Sequence, residues 1–472
     1  MTFSSLVFIC IFLPIVYLLH TLLPSIRLRN ALLIAASLVF YAFGEPVYVL
    51  LMLVSATVNY LCALAMGRRV NKAALLTAVI VNIGFLFLFK YTGFLVENLN
   101  RLLRLSLPVP QIPLPIGISF FTFQALSYVI DVYRGDAQVQ RSFPKLLLYI
   151  SFFPQLIAGP IVKYRDVAEQ IEDRDPTLKQ TALGLRRFLF GLAKKVLVAN
   201  AMAVTADALF NAPLSQLDTL SAWLGGAAYT LQIYFDFSAY SDMAIGLGRM
   251  FGFRFRENFN FPYGAVTIKE FWRRWHISLS SWFKDYVYIP LGGNRRGRLR
   301  TALNKLIVFF LTGLWHGANW TFVVWGLFHG LFSFLEEFIP AIRKLPRFLG
   351  HIYTMLVVTV GFVIFRSESI GYAIAYLQRM FVWQQPVLAT MSLTLQQLTP
   401  YFLVMLLAAV LFCAPLGPLV RRLRAASRRR LASGSREAAV QRELYAVSFV
   451  LLLWCLIRLS GGSYNPFIYF RF

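Results

Sequence analysis

Two histidines are the residues best placed to do chemistry. His276 closes the basic and aromatic run Lys269-Glu270-Phe271-Trp272-Arg273-Arg274-Trp275, and His316 follows forty positions later in Leu314-Trp315-His316-Gly317-Ala318-Asn319-Trp320. The chain has only five histidines in 472 residues, so two of them in polar islands of an oily sequence are informative. An imidazole accepts a proton at neutral pH, which few other side chains do in apolar surroundings. Burial disfavours a charged ring, and the neutral ring is the form that takes a proton from a hydroxyl. The pair therefore reads as a reaction centre. His316 is the expected proton acceptor, and His276 is expected opposite it, orienting a substrate or donating to a developing oxyanion. The competing reading of His316 is a satisfied structural histidine; its neighbours Trp315, Asn319 and Trp320 weigh toward function. His20, His329 and His351 lack such company, and His329 is expected to pack or hydrogen-bond within the helices.

Other chemistries find no support. There is no HExxH, no nearby cysteine and no third ligand for a metal. No GxSxG elbow and no Walker loop occur, which argues against a serine hydrolase or an ATP-driven pump. The run Gly246-Leu247-Gly248-Arg249-Met250-Phe251-Gly252 looks like a dinucleotide fingerprint, but its third glycine is one residue late and no βαβ pattern surrounds it. Cys10, Cys62, Cys413 and Cys455 all lie in apolar stretches without CxxC spacing and read as small buried hydrophobes.

The elements that must position the histidines are membrane helices. The chain is 58% hydrophobic with a mean hydropathy of +0.63 and only 14% charged, where soluble domains are about 25% charged. Apolar stretches of about 20 residues recur from end to end, so residues 1–472 are expected to be a single multi-pass body, all-α, with about eleven or twelve transmembrane helices. The net charge of +25 would suggest nucleic acid in a soluble protein. Here the cations cluster between apolar segments, as cytoplasmic loops do, and no nucleic-acid partner is expected.

In order, the N-terminal spans cover residues 3–92. Phe3 to Leu22 lacks a basic n-region and a small-residue cleavage site, so it reads as a retained helix. Leu32 to Phe43, Val47 to Met66 and Ala74 to Phe89 follow, with Arg27, Arg29, Arg68 and Arg69 in cytoplasmic loops and the N-terminus outside. Tyr91 to Gln111 reads as an external loop. Gly117 to Tyr133 returns inward. The stretches Leu114 to Phe121 and Phe152 to Pro160 carry Pro and Gly and are expected to face an interior, because broken backbone in lipid is tolerated only there. Lys163 to Lys179 reads as a surface loop with an amphipathic helix. Phe188 to Phe210 and Ala222 to Phe237 resume the spans, and Asp236 and Asp242 at the edge of the second are either holders of nearby cations or a pocket wall.

Cations crowd between Arg254 and Lys305. Trp272, Trp275, Leu279 and Trp282 recur at helical spacing, which predicts one helix with an aromatic face and Arg273, Arg274 and Lys284 on the other, lying in the interface or dipping into a protein-lined recess. Leu306 to Phe338 is interrupted at the His316 motif, which suggests a helix broken or locally hydrated near the membrane interior. C-terminal spans lie within 352–459, and the arginine-rich stretch from Arg421 to Arg442 reads as an anchor on anionic lipid.

At Leu114 to Phe123, Phe152 to Lys163, Asp236 to Gly246, Asn258 to Arg274, His276 to Asn294 and Leu314 to Trp325, the chain resembles the membrane-bound O-acyltransferase family, in particular its bacterial alginate O-acetylation branch. The resemblance covers the core motifs of 114–330 best and the region after Pro340 least. It implies a ring of helices around a thinned centre, with a central tunnel from a cytoplasmic donor site to an external acceptor site. The family's two histidines fall on His316 and His276. It further implies a plasma-membrane enzyme of a bacterium that moves acetyl groups from a cytoplasmic thioester, acetyl-CoA, to a cell-surface polysaccharide, with a separate external SGNH-type transferase completing delivery. No cofactor is expected to stay bound. Trp275, Arg273, Arg274, Asn319, Asp236 and Asp242 are the candidate substrate and donor contacts, the arginines by charge toward phosphates. Two other functions compete. Teichoic-acid D-alanylation would need an acyl-carrier protein. A transporter or flippase would use the histidines as a proton relay, but expects paired broken helices in related halves, and no repeat is evident.

Overall fold

The computed structural model describes residues 1–67, 70–415, 433–462, 464–465 and 467, and among them helix is the only regular secondary structure. The chain passes through a wide turn, Phe8–Phe12, into α1 (Leu13–Leu22), α2 (Ile26–Ala42), α3 (Tyr48–Met66) and α4 (Lys72–Leu86). Ser25 and Asn71 start α2 and α4 by accepting the N–H three residues on. α4 then runs through a second wide turn, Phe87–Tyr91, into α5 (Thr92–Leu103). The external loop expected from Tyr91 is thus helical over its first half. Glu97, Asn98 and Arg101 make α5 too polar to read as a span, yet it still packs, with Phe94 5.6 Å from Trp320.

The middle of the chain is α6 (Ile118–Arg134), α7 (Phe143–Ser151), α8 (Tyr164–Glu172), α9 (Leu178–Ala193), α10 (Asn200–Phe210) and α11 (Thr219–Met250). α8 is the surface helix expected in the charged stretch, with Val167 and Ile171 turned inward. A wide turn, Lys194–Ala199, joins α9 to α10 without a loop. α11 is 32 residues long and mostly buried, so Asp236 and Asp242 sit within a helix rather than at the edge of one. Its continuation to Met250 also places Gly246 and Gly248 inside the helix, where no phosphate loop can form.

The remainder is α12 (Ile268–Arg274), α13 (Ile277–Phe283), α14 (Gly297–His316), α15 (Trp320–Phe338), α16 (Arg347–Arg366), α17 (Ile370–Phe381), α18 (Leu388–Gln397), α19 (Pro400–Phe412) and α20 (Ser433–Ser460). Of the arginine-rich Arg421 to Arg442 stretch, 421–432 lies outside the described residues, as do Arg68 and Arg69. Among the described residues five helical runs are each long and apolar enough to cross a membrane, with Lys72–Leu103 and Leu178–Phe210 running on through their wide turns, or six if α18 and α19, bent by 69°, count as one span. The remaining helices are shorter, bent or polar on one face, and Phe8–Leu22 is apolar as well. Several of these still present apolar side chains outward, among them Leu18 and Leu19 of α1 and Leu407 and Val410 of α19. The Phe152 to Pro160 stretch is buried throughout, as its prolines and glycine led us to expect.

Candidate active site

The α14–α15 hairpin carries His316. The two helices approach closely because glycines face each other, and a Cβ on Gly326 would lie 3.1 Å from the Gly313 Cα. The turn between the helices is closed by Asn319, whose side-chain oxygen accepts the Thr321 N–H at 3.0 Å and whose amide donates to the Glu368 carbonyl at 3.1 Å. Asn319, expected to touch substrate, is thus an N-cap for α15. His316 packs edge-on against Trp325 and Phe365, with ring centroids 5.0 and 5.2 Å away. It is not walled in. It lines a cavity of about 160 Å³ with Lys90, Trp315, Ile157 and the Leu114-to-Phe120 segment.

His276 sits where the expected single helix breaks. Its φ of +43° is left-handed, which ends α12 and restarts the chain as α13. The tryptophans predicted on one face therefore go to separate places. Trp275 is enclosed by Phe259, Phe271 and Phe362, and Trp282 stacks on Phe123 at 3.8 Å. Trp315 is the shared neighbour of the two histidines, 4.9 Å from His316 and 6.0 Å from His276 between ring centroids.

Asn258, fully buried, holds the break in place. Its backbone carbonyl accepts the Ile277 N–H at 2.9 Å, and its side-chain oxygen accepts from the Ser278 N–H at 3.1 Å and the Ser278 hydroxyl at 2.9 Å. A backbone N–H can only donate, so the atom facing it is the amide oxygen, and the His276 Nδ1 at 3.2 Å from that oxygen must carry the proton. A neutral His276 then presents a lone pair at Nε2. The donating role expected of it would require a charged ring; accepting from an acceptor hydroxyl, and so orienting it, does not. Asn258→Leu strands three donors, each costing roughly 1–3 kcal/mol when buried and unpaired. Abundance in the membrane should drop, and acyl transfer per molecule that remains should fall at least about tenfold, measured as alkali-labile ester per unit of protein.

A second cavity, of about 560 Å³, lies at the other end of α14. Lys269, Lys284, Arg298 and Lys305 line it with a single carboxylate, Glu337. Glu337 pairs with Lys305 at 2.9 Å, and its carbonyl accepts from Arg298 at 2.8 Å. Arg273 and Arg274 are not among its walls; Arg273 is exposed and Arg274 pairs with Glu270 at 2.5 Å. Between the cavities, Phe309 of the cationic one touches Trp272, Trp272 touches Trp325, and Trp325 touches His316, at 5.2, 5.6 and 5.0 Å. The Trp272 and Trp325 indoles thus stand between the two cavities. His329 packs among Phe271, Trp272 and Trp325, and neither ring nitrogen has a partner among the described residues.

The two aspartates are not brought to the His316 cavity. Asp236 forms a buried pair with Lys195 at 2.8 Å, beside Phe3 and Asn465. Asp242 holds Arg187 at 2.8 Å and Lys194 at 2.6 Å, and Arg187 also reaches Glu257 at 2.5 Å. Sequence reasoning missed Lys90 and Asn258. Asn258 had a signal, the polar Asn258-to-Tyr263 run, whereas Lys90 looks like an ordinary cation ending a span. Among the described residues no cluster of His, Cys, Asp or Glu could hold a metal.

The family model described as MBOAT, membrane-bound O-acyltransferase, matches residues 137–378. The chain is 42% identical to a probable alginate O-acetylase of Azotobacter vinelandii, aligned over the whole of both proteins. It is 38% identical to a peptidoglycan O-acetyltransferase of Helicobacter pylori over 80% of this chain and 79% of that one. A teichoic acid D-alanyltransferase of Bacillus subtilis is 29% identical over 53% of this chain and 67% of its own length. With its two histidines meeting at Trp315 inside an all-helical, apolar body, the chain belongs to the membrane-bound O-acyltransferase family.

Proposed function

We propose that this acyltransferase takes acetyl groups from acetyl-CoA in the cytoplasm and delivers them outside the plasma membrane of a bacterium for O-acetylation of a cell-surface polysaccharide. The observation that carries the reading is the placement of a histidine-lined cavity and a four-cation cavity at opposite ends of one helix, α14. By the distribution of basic residues, the end bearing Arg295, Arg296, Arg298 and Arg300 faces the cytoplasm, and the His316 end faces outward. Lys269, Lys284, Arg298 and Lys305 suit the phosphates of a coenzyme thioester. The acceptor hydroxyl enters from the His316 side. His316 takes its proton as the oxygen attacks the thioester carbonyl, the carbon–sulfur bond breaks, and the imidazolium returns the proton to the departing thiolate. The relatives named for alginate and peptidoglycan O-acetylation favour a glycan as final acceptor, reached through an extracytoplasmic SGNH-type transferase.

Membrane vesicles given labelled acetyl-CoA test the donor side. Arg298→Ala combined with Lys284→Ala should raise the KM for acetyl-CoA about tenfold while kcat stays within about twofold, the pattern of lost ground-state binding. An unchanged KM would remove the cationic cavity from the mechanism, and D-alanine rather than acetate in the recovered ester would replace the donor with a carrier-bound aminoacyl group.

A further inference from the structure

The helix that delivers His316 stops inside the protein, and its last carbonyls have no partner within the helix. Gly317 continues in extended backbone (φ −172°), so no left-handed turn folds back to cover them. In a buried, apolar setting such carbonyls are costly to leave bare. Two consecutive residues from a distant segment answer them. The Tyr91 hydroxyl donates to the Leu314 carbonyl at 2.6 Å, and the Lys90 ammonium donates to the carbonyls of Trp315 at 2.5 Å and His316 at 3.1 Å.

Both donors come from the wide turn Phe87–Tyr91 that joins α4 to α5. Such a turn inserts an extra residue into a helix and re-aims the side chains around it, and it recurs at functional sites. Lys90 has no carboxylate within ion-pair distance among the described residues; the negative end of the α14 dipole and the Trp315 ring, 5.9 Å away, are what face its charge. It also lines the same cavity as His316. A surface lysine would keep its ammonium in water, whereas this one is committed to the two carbonyls that flank the reactive ring along the chain.

We infer that Lys90 is a positioning residue for His316: its ammonium, with Tyr91 beside it, pins the free end of α14 so that the imidazole is held at the cavity wall. The inference rests on the reading of His316 as the proton acceptor. It gives the wide turn a purpose, because a regular helix through 87–91 would not present Lys90 and Tyr91 to three successive carbonyls.

The test uses the full-length protein in membranes, with two readouts. Lys90→Met should lower kcat for acetyl transfer at least tenfold while the KM for acetyl-CoA, which enters from the opposite end of α14, stays within twofold. Lys90→Arg, which keeps the charge and the donors, should recover at least a third of the activity, and Tyr91→Phe should show a smaller loss, threefold to tenfold. The second readout is carbethoxylation of His316 by diethyl pyrocarbonate, followed by mass spectrometry. Freed from its clamp, His316 should label at least threefold faster in Lys90→Met and at the native rate in Lys90→Arg. Unchanged labelling and turnover in Lys90→Met, or an arginine variant as impaired as the methionine one at equal abundance, would overturn the inference. Labelling reports where His316 lies whether or not it is the base, so a His316→Ala enzyme that still transfers acetyl groups would sink the functional reading alone.

Discussion

Cells carrying His316→Ala should lose surface O-acetylation while the protein still accumulates in the membrane. Removing a general base costs typically about 10²–10⁴ in rate, and no other titratable side chain lines the cavity except Lys90, which is occupied with the α14 carbonyls. The fold should tolerate the change, because α14 and α15 are held by the Gly313–Gly326 approach and by the Asn319 cap, neither of which uses the imidazole. His316→Gln separates the base from the shape: it keeps a polar planar group in the Trp325 and Phe365 box but cannot cycle a proton, so it should be as inactive as alanine. The measurement is acetate released by mild alkali from the cell envelope, normalised to immunodetected membrane protein. Wild-type acetate from either variant would leave His316 a packing residue and the proposed chemistry without its base.

The largest stability effect should come from Asp236→Asn. The Lys195 and Asp236 side chains are 4% and 1% exposed and 2.8 Å apart, so removing the aspartate charge breaks an ion pair that is buried on both sides. Breaking such a pair costs about 3–5 kcal/mol, and the location, against the N-terminal Phe3 and the C-terminal Asn465, means that both ends of the chain should loosen together. The double replacement Lys195→Met with Asp236→Leu removes both charges and should recover most of the loss. Thermal midpoints in detergent, read by the monodisperse fraction after heating, distinguish these outcomes. A single variant as stable as wild type would mean that water reaches the pair. Acetyl transfer per folded molecule should be nearly normal in the double variant, which separates this pair from the reaction centre.

How much of this was legible beforehand follows from what kind of force decides each feature. Hydropathy and the spacing of basic residues depend on local composition, so the all-helical membrane body, the surface helix at Tyr164–Glu172 and the interruption at His316 could be read directly. The long motifs around His276 and His316 were enough to point to the family. Periodicity could not show that the Trp272-to-Trp282 run breaks at His276, because that break is imposed by Asn258, reaching across 20 positions to satisfy the backbone of α13. For the same reason Asp236 and Asp242 stayed open between holders of nearby cations and a pocket wall: their partners, Lys195, Lys194 and Arg187, lie on a neighbouring helix segment.

By itself, then, the order of residues determined the solvent the chain must live in, the side chains able to move a proton and the broken stretches that need cover. Only the tertiary structure decided which cations share a cavity, which tautomer His276 adopts and why Lys90 leaves an ordinary span end for the carbonyls of α14. Those outcomes depend on hydrogen-bond donors and acceptors meeting across 20 to more than 200 positions of chain, and buried polar groups must find such partners wherever the fold puts them.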